Sequence, residues 1–159
     1  MINKEDANIL IVDDIEDNRY TLERRLKKDG YTNIFSAEGG KTALEMAADN
    51  KFDLILLDLM MPDMSGLEVL KHLKGDPMQR SIPVIMVTAS DEVETAAECI
   101  INGADDFITK PFNGTLLKYF SIYNSSLLKN LKASDFAVKN KFSNLFSSST
   151  IFIPLPPPP

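Results

Sequence analysis

The 159-residue chain has a single cysteine, Cys99, which excludes an internal disulfide. It has no apolar run near the roughly 18 residues of a membrane span, so no membrane association is expected. Its start, Met1-Ile2-Asn3-Lys4-Glu5-Asp6, is polar and acidic and lacks the form of a secretory signal. A cytoplasmic protein is the expectation. Positive charge is in deficit: 17 Lys and Arg against 23 Asp and Glu give a net charge of -6. That balance argues against non-specific nucleic-acid binding, and no direct contact with nucleic acid is expected. With 44% hydrophobic and 25% charged residues the chain reads as globular, and its length fits one domain.

The acids are unevenly placed. Residues 1–118 hold 22 of the 23, for a net charge of -9, whereas residues 119–159 hold only Asp135 and carry a net of +3. The later segment also has eight serines and five of the nine prolines. So sharp a shift marks a boundary within or just after a helix that begins near residue 113.

The organising stretch is Asp53-Leu54-Ile55-Leu56-Leu57-Asp58-Leu59-Met60-Met61-Pro62-Asp63-Met64-Ser65-Gly66. Four apolar residues read as a strand buried on both faces, ending at Asp58. Pro62 and Gly66 then require a loop. Ile9-Leu10-Ile11-Val12 followed by Asp13-Asp14 has the same form. A helical pattern from Ile15, with Ile15, Leu22 and Leu26 inward, ends at Gly30. A second strand spans 33–37. Gly39-Gly40 lacks a phosphate-loop context and reads as a helix start, with Ala43, Leu44, Ala47 and Ala48 inward over 42–49. Ser65 and Glu68 have capping-box spacing for a third helix carrying Leu67, Val69, Leu70 and Leu73. Pro83 to Val87 is a fourth strand, with Thr88 at its end. Val93, Ala96, Ala97, Ile100, Ile101 and Ala104 make the apolar face of a fourth helix, closed by Gly103, and Cys99 falls on its flank. Asp106 to Thr109 is a fifth strand ended by Lys110-Pro111, and Leu116, Leu117 and Phe120 begin a fifth helix.

Alternating strands and helices imply an α/β fold, a doubly wound parallel sheet of five strands. Its strands deliver Asp13, Asp14, Asp58, Thr88 and Lys110 to one rim, where such folds bind ligands. Three crowded carboxylates repel, and a divalent cation relieves them. Mg²⁺ takes oxygen ligands and keeps several waters. Lys110 offers a point charge suited to phosphate, and Thr88 a hydroxyl donor. These are the parts for phosphoryl transfer to a carboxylate, with Asp58 as nucleophile.

The motifs Ile9-Leu10-Ile11-Val12-Asp13-Asp14, Leu56-Leu57-Asp58 through Gly66, Val87-Thr88-Ala89 and Gly103-Ala104-Asp105-Asp106-Phe107-Ile108-Thr109-Lys110-Pro111-Phe112 carry a resemblance. Over about residues 7–120 the chain resembles the receiver domain of bacterial two-component response regulators. The resemblance implies a flavodoxin-like (β/α)5 fold with strand order 2-1-3-4-5. It implies that Asp58 accepts phosphate from a sensor histidine kinase or phosphotransfer protein. Asp13, Asp14 and Asp58 would hold Mg²⁺ with the Met60 main-chain carbonyl. Lys110 would pair with the phosphoryl group, Thr88 would move toward it, and Phe107 stands at the switch aromatic position. The signal would leave through the surface of the fourth helix, fifth strand and fifth helix, which could also make a homodimer. Residues 1–125 would be the receiver domain and 126–159 a Ser/Pro-rich tail of uncertain structure, without a recognisable output domain.

Two other readings stand beside this switch. A magnesium-dependent aspartyl phosphatase would place a second acid two residues after its nucleophile, where this chain has Met60. A receiver-like scaffold that is never phosphorylated would have lost a rim residue, and all five are present. His72 lies on the polar side of its helix as a solvated residue, and Met60, Met61 and Met64 fill a loop whose neighbouring carboxylates suit a hard cation.

Overall fold

The computed structural model of the chain describes residues 4–89 and 93–111. Its sheet has five parallel strands, β1 (Ile9–Val12), β2 (Ile34–Ala37), β3 (Leu54–Asp58), β4 (Val84–Thr88) and β5 (Asp106–Thr109), in the order β2-β1-β3-β4-β5. The helices between them are α1 (Glu16–Lys28), α2 (Gly40–Asp49), α3 (Gly66–Gly75) and α4 (Val93–Ile101). The expected fifth helix and the whole tail lie outside the described residues. No described helix is long and apolar enough to cross a membrane.

Strand residues alternate between the two faces, so each central strand feeds two cores. Leu10, Val12, Ile55, Leu57, Val84 and Met86 pack with Ala43, Ala47, Val69, Leu70, Leu73 and Cys99. Ile9, Ile11, Leu54, Leu56, Ile85 and Val87 pack on the opposite side with Leu22 and Leu26 of α1. Burial on both sides is why β1, β3 and β4 are unbroken apolar runs.

Local chemistry ends the helices where it was expected to. Gly30 has φ +95° and Gly103 φ +103°, values that glycine adopts without a Cβ penalty. After α1, the Gly30 and Tyr31 N–H groups donate to Lys27 and Leu26; after α4, those of Gly103 and Ala104 donate to Ile100 and Cys99. Both are Schellman closures with their apolar contacts buried. At the start of α3, Glu68 N–H donates to Ser65 Oγ at 3.3 Å and Ser65 N–H to Glu68 Oε2 at 2.9 Å.

Several inward assignments change. Ile15 is 53% exposed, because it is the N-cap residue of α1 and not part of its buried stripe. Helix α2 starts at Gly40 rather than 42 and turns Ala48 outward. In α4, Ala97 and Ile101 face out, and Cys99 is fully buried. Ala97 and Ile101 each stand two positions from Cys99, about 200° around the helix. That helix is apolar on most sides, so periodicity could not choose its inner face. Burial pushes the Cys99 thiol pKa up, leaving a small core residue and not a reactive thiol.

Gly66 sets the path of the chain beyond β3. Its N–H donates to the Leu59 carbonyl at 2.8 Å. A Cβ there would lie 2.1 Å from the Asp58 carbonyl oxygen and 2.9 Å from Leu59 Cα, both backbone atoms that cannot swing aside. Gly66→Ala is therefore expected to cost about 1–3 kcal/mol, the range for forced overpacking. Denaturant unfolding of the two proteins checks this, and equal midpoints would contradict it.

Candidate functional site

The register of the sheet gathers the rim. Val12 pairs with Leu57, so Asp13 and Asp58 leave adjacent strands side by side. Asp58 pairs with Val87, placing Thr88 one residue further along β4. Thr88 pairs with Thr109, and Lys110 follows. Lys110 stands two strands from Asp58, a gap of about 9–10 Å that a long side chain can bridge. The chain order reverses between β1 and β3, so the crevice opens at the carboxyl ends of those strands.

Lys110 joins the acids. Its Nζ donates to Asp58 Oδ1 at 2.7 Å and to Asp13 Oδ2 at 3.0 Å. Both carboxylates are buried, Asp13 at 1% and Asp58 at 5% exposure. Asp14 is half-buried. One carboxylate oxygen from each of Asp13, Asp14 and Asp58 lies within 4.8 Å of the others. This is a hard, all-oxygen donor set of the kind Mg²⁺ takes, and it has one amine to offset three acids. The residues fit the cation. The Met60 side chain is 64% exposed, and its thioether is a soft ligand, so the group of Met60 that suits a hard cation is its main-chain carbonyl.

The electrostatics agree. Burial is the main reason that the Asp58 pKa rises from 3.8 to about 6; the Asp13 and Asp14 charges add to it, and Lys110 opposes it. Burial pulls Lys110 down, but its bonds to Asp58 and Asp13 outweigh that and leave its pKa raised. Lys110 thus stays cationic at neutral pH. Thr88 is fully buried, and its Oγ1 has no hydrogen-bond partner among the described residues. An unsatisfied buried hydroxyl is costly and marks a place for a further acceptor. Lys110 N–H donates to the Thr88 carbonyl at 2.7 Å, tying the two residues through the backbone. The Lys110–Pro111 bond is cis. Phe107 is half-buried against the larger core cluster.

Two residues escaped the sequence reading. Asn18 Nδ2 donates to both Asp13 oxygens, at 3.1 and 3.0 Å, and Ile15 N–H donates to Oδ1 at 2.9 Å. Arg19 Nη1 donates to the Asp13 carbonyl at 2.6 Å. Together they hold Asp13 in one orientation, whereas Asp14 accepts no hydrogen bond among the described residues. The signal was spacing: the first turns of the helix entered by an acid pair fold back over that pair.

The response regulator receiver domain model matches residues 9–119, most of the chain. The chain belongs to the receiver domain family of response regulators. It is 46% identical over 111 residues to the response regulator PleD of Caulobacter vibrioides, covering 70% of this chain and 24% of PleD. It is 36% identical over 118 residues to chemotaxis protein CheY-3 of Vibrio cholerae, covering 74% of this chain and 90% of that protein. The crystallised V. cholerae CheY4 superposes with a TM-score of 0.66 at 33% identity, covering 73% of this chain and 97% of CheY4. The chain thus spans about a quarter of PleD and nearly all of a CheY. Receiver domains are phosphorylation-controlled signalling modules that use Mg²⁺ and work with histidine kinases or phosphotransfer proteins.

An ionised Asp58 in this receiver domain opposes folding when no cation is present. Its folded pKa of about 6 lies above its ordinary 3.8, so the folded state binds the extra proton between those values. Stability therefore falls as pH rises from about 4 to about 6 and stays lower above that. Asp58→Asn removes the charge and should stabilise the metal-free protein at pH 7.5 by about 1–3 kcal/mol, up to the scale of a two-unit shift. The gap should close toward pH 4. Denaturant midpoints across that range test it; a variant less stable at pH 7.5 would contradict the expected sign.

Proposed function

We propose that Asp58 is the phosphoacceptor of a phosphorylation-controlled signalling switch, and that its donor is the phosphohistidine of a sensor histidine kinase or a phosphotransfer protein. One observation carries the reading: a single amine, Lys110, bridges Asp58 and Asp13 beside the unpartnered Thr88 hydroxyl. An Asp58 oxygen attacks phosphorus, the P–N bond breaks, and its electron pair leaves with the imidazole. The nucleophile needs no general base, because it is a carboxylate above its pKa. Mg²⁺ held by Asp13, Asp14, Asp58 and the Met60 main-chain carbonyl would supply positive charge to the phosphoryl oxygens. Lys110 already touches the reacting oxygen, and it follows the charge as that charge spreads onto the phosphoryl group. Thr88 Oγ1 donates to a phosphoryl oxygen and gains the acceptor it now lacks.

The switch runs from Thr88 to Phe107. They sit on neighbouring strands, where Met86 pairs with Phe107 and Thr88 with Thr109. A move of Thr88 toward the phosphoryl group draws on the loop to α4, and Phe107, without a hydroxyl, responds by packing alone. The altered surface is that of α4, β5 and the segment after β5 where a fifth helix is expected, and there a partner or a second copy docks. A phosphoryl group changes charge locally, so a bistable element must carry its effect outward. The chain works by its own phosphorylation and dephosphorylation and turns over no separate substrate. An aspartyl phosphatase is the weaker reading, since Met60 stands where the second acid would be. We place the protein in the cytoplasm.

Incubation with Mg²⁺ and a small phosphodonor should add one acid-stable, alkali-labile phosphoryl group, read by intact mass. Asp58→Asn should abolish it, and Lys110→Ala should slow it roughly a hundredfold, the scale for one lost charge-stabilising donor. Undiminished labelling of Asp58→Asn would defeat the assignment. We assign residues 1–125 to the receiver domain and 126–159 to a tail outside it. A chain cut after Lys132 should keep its labelling rate and melt within about 10 °C of the whole, more than 1–2 kcal/mol would shift a domain of this size. A larger loss would put the tail in the core.

A further inference from the structure

The loop that follows Asp58 is tied to a helix that lacks its own cap. Helix α2 is preceded by Gly39 at its N-cap, which has no side chain to accept from the first turn, and that turn carries no acid. An N-terminus with several unpaired N–H groups needs an acceptor. Asp63 supplies it from 23 residues away: Gly40 N–H donates to Oδ1 at 3.1 Å and Lys41 N–H to Oδ2 at 3.0 Å. Backbone N–H groups, that of Lys41 first and then those of Gly40, Met64 and Asp63, hold the Asp63 carboxyl below its ordinary pKa against the opposing effect of burial.

The fit depends on the two glycines. A Cβ on Gly39 would lie 2.7 Å from Asp63 Oδ2, and one on Gly40 2.6 Å from Val69 Cγ2 and 2.9 Å from Met64 Cβ. The backbone of Gly39 is extended, at φ -176° and ψ 171°, a conformation open to any residue. A side chain at 39 is therefore excluded by the Asp63 carboxylate and not by strain.

The same loop carries Met60. It is pinned at its base, where Gly66 N–H meets the Leu59 carbonyl, and Met61 is buried beneath it. Among the described residues, hydrogen bonds from the 60–64 tip to another element run only through Asp63.

We infer that Asp63 is a positioning residue: by capping α2 it fixes the loop whose Met60 carbonyl would complete the ligands of the divalent cation, and so sets Mg²⁺ affinity. The inference rests on the proposed metal ligands. A capping side chain at position 39 would stabilise α2 equally well, yet it would leave the loop untied. Taking the cap from the loop makes one carboxylate serve both the helix and the site. Coupling of this kind is reciprocal, so cation binding must also steady the N-terminus of α2.

The test separates the two services of the carboxylate. Mg²⁺ dissociation constants are measured by titration calorimetry, and melting is followed without Mg²⁺, for the wild type, Asp63→Ala, Asp63→Asn and the double variant Gly39→Ser/Asp63→Ala. Asp63→Ala should lower the melting temperature and weaken Mg²⁺ binding roughly tenfold, the low end for residues that support a metal's ligands. Asp63→Asn should recover part of both. The double variant regains a local cap, so its melting should return while its Mg²⁺ affinity stays low. Mg²⁺ should also slow amide exchange at Gly40 and Lys41 in the wild type, a measurement that needs no variant to fold. Recovery of Mg²⁺ affinity in the double variant, or unchanged affinity in Asp63→Ala, would reduce Asp63 to a helix cap and overturn the inference alone. A wild-type chain that takes up no Mg²⁺ would overturn the metal assignment and this inference together.

Discussion

One ammonium group bridges two buried carboxylates, with a third beside them. Lys110 Nζ sits 2.7 Å from Asp58 and 3.0 Å from Asp13, with Asp14 beside them. Without it, two buried acids would face each other across adjacent strands with no compensating charge, an arrangement that costs several kcal/mol per ion. With it, the site still carries an excess of two negative charges. Burial is the main cause of the raised Asp58 pKa, the excess negative charge adds to it, and the same three carboxylates form a donor set that a divalent cation fits. The resting site is thus held in an unsatisfied state, charged and with a buried hydroxyl unpaired at Thr88.

The fold makes that state possible by spending its stability elsewhere. The central strands are buried on both faces, and the two core clusters they feed do not depend on the rim. Parallel register then delivers the ends of β1, β3, β4 and β5 to one line, so no loop has to carry a reactive side chain across open space. The helix starts and loops beyond the strand ends instead trim the geometry. Asn18 and Arg19 hold Asp13, Gly66 lets the backbone turn close against Asp58, and Asp63 ties the loop after β3 to α2.

Receiver domains are typically signalling domains and not enzymes, and this chain belongs to that family. Two residues after Asp58 stands Met60, where an aspartyl phosphatase would carry a second acid. The chain matches nearly all of a CheY but only about a quarter of PleD. The same unit thus stands almost alone in one relative and forms a minor part of another. Its physics must be self-contained, which agrees with a core that closes around the sheet.

The sequence by itself determined the strands, the helix ends and the identity of the rim residues. Unbroken apolar runs can only be strands buried on both faces, and Gly30, Gly103 and the Ser65/Glu68 pair are local signals that act within a few residues. Four motifs specific enough to mark the family then implied the strand order and the acids. Tertiary structure decided which way marginal faces turned and which distant groups met. In α4, Ala97 and Ile101 turned outward and Cys99 inward, because a short helix that is apolar on most sides is oriented by the sheet it meets and not by its own period; Ile15 faces out as the N-cap of α1, and Ala48 faces out from α2. The Asn18 and Arg19 contacts to Asp13 depend on how α1 leaves β1. The bond from Asp63 to α2 joins residues 23 apart through a gap left by a missing Cβ. Neither has a local signature, because hydrogen bonds between separate elements exist only once the chain has brought their donors and acceptors within about 3 Å.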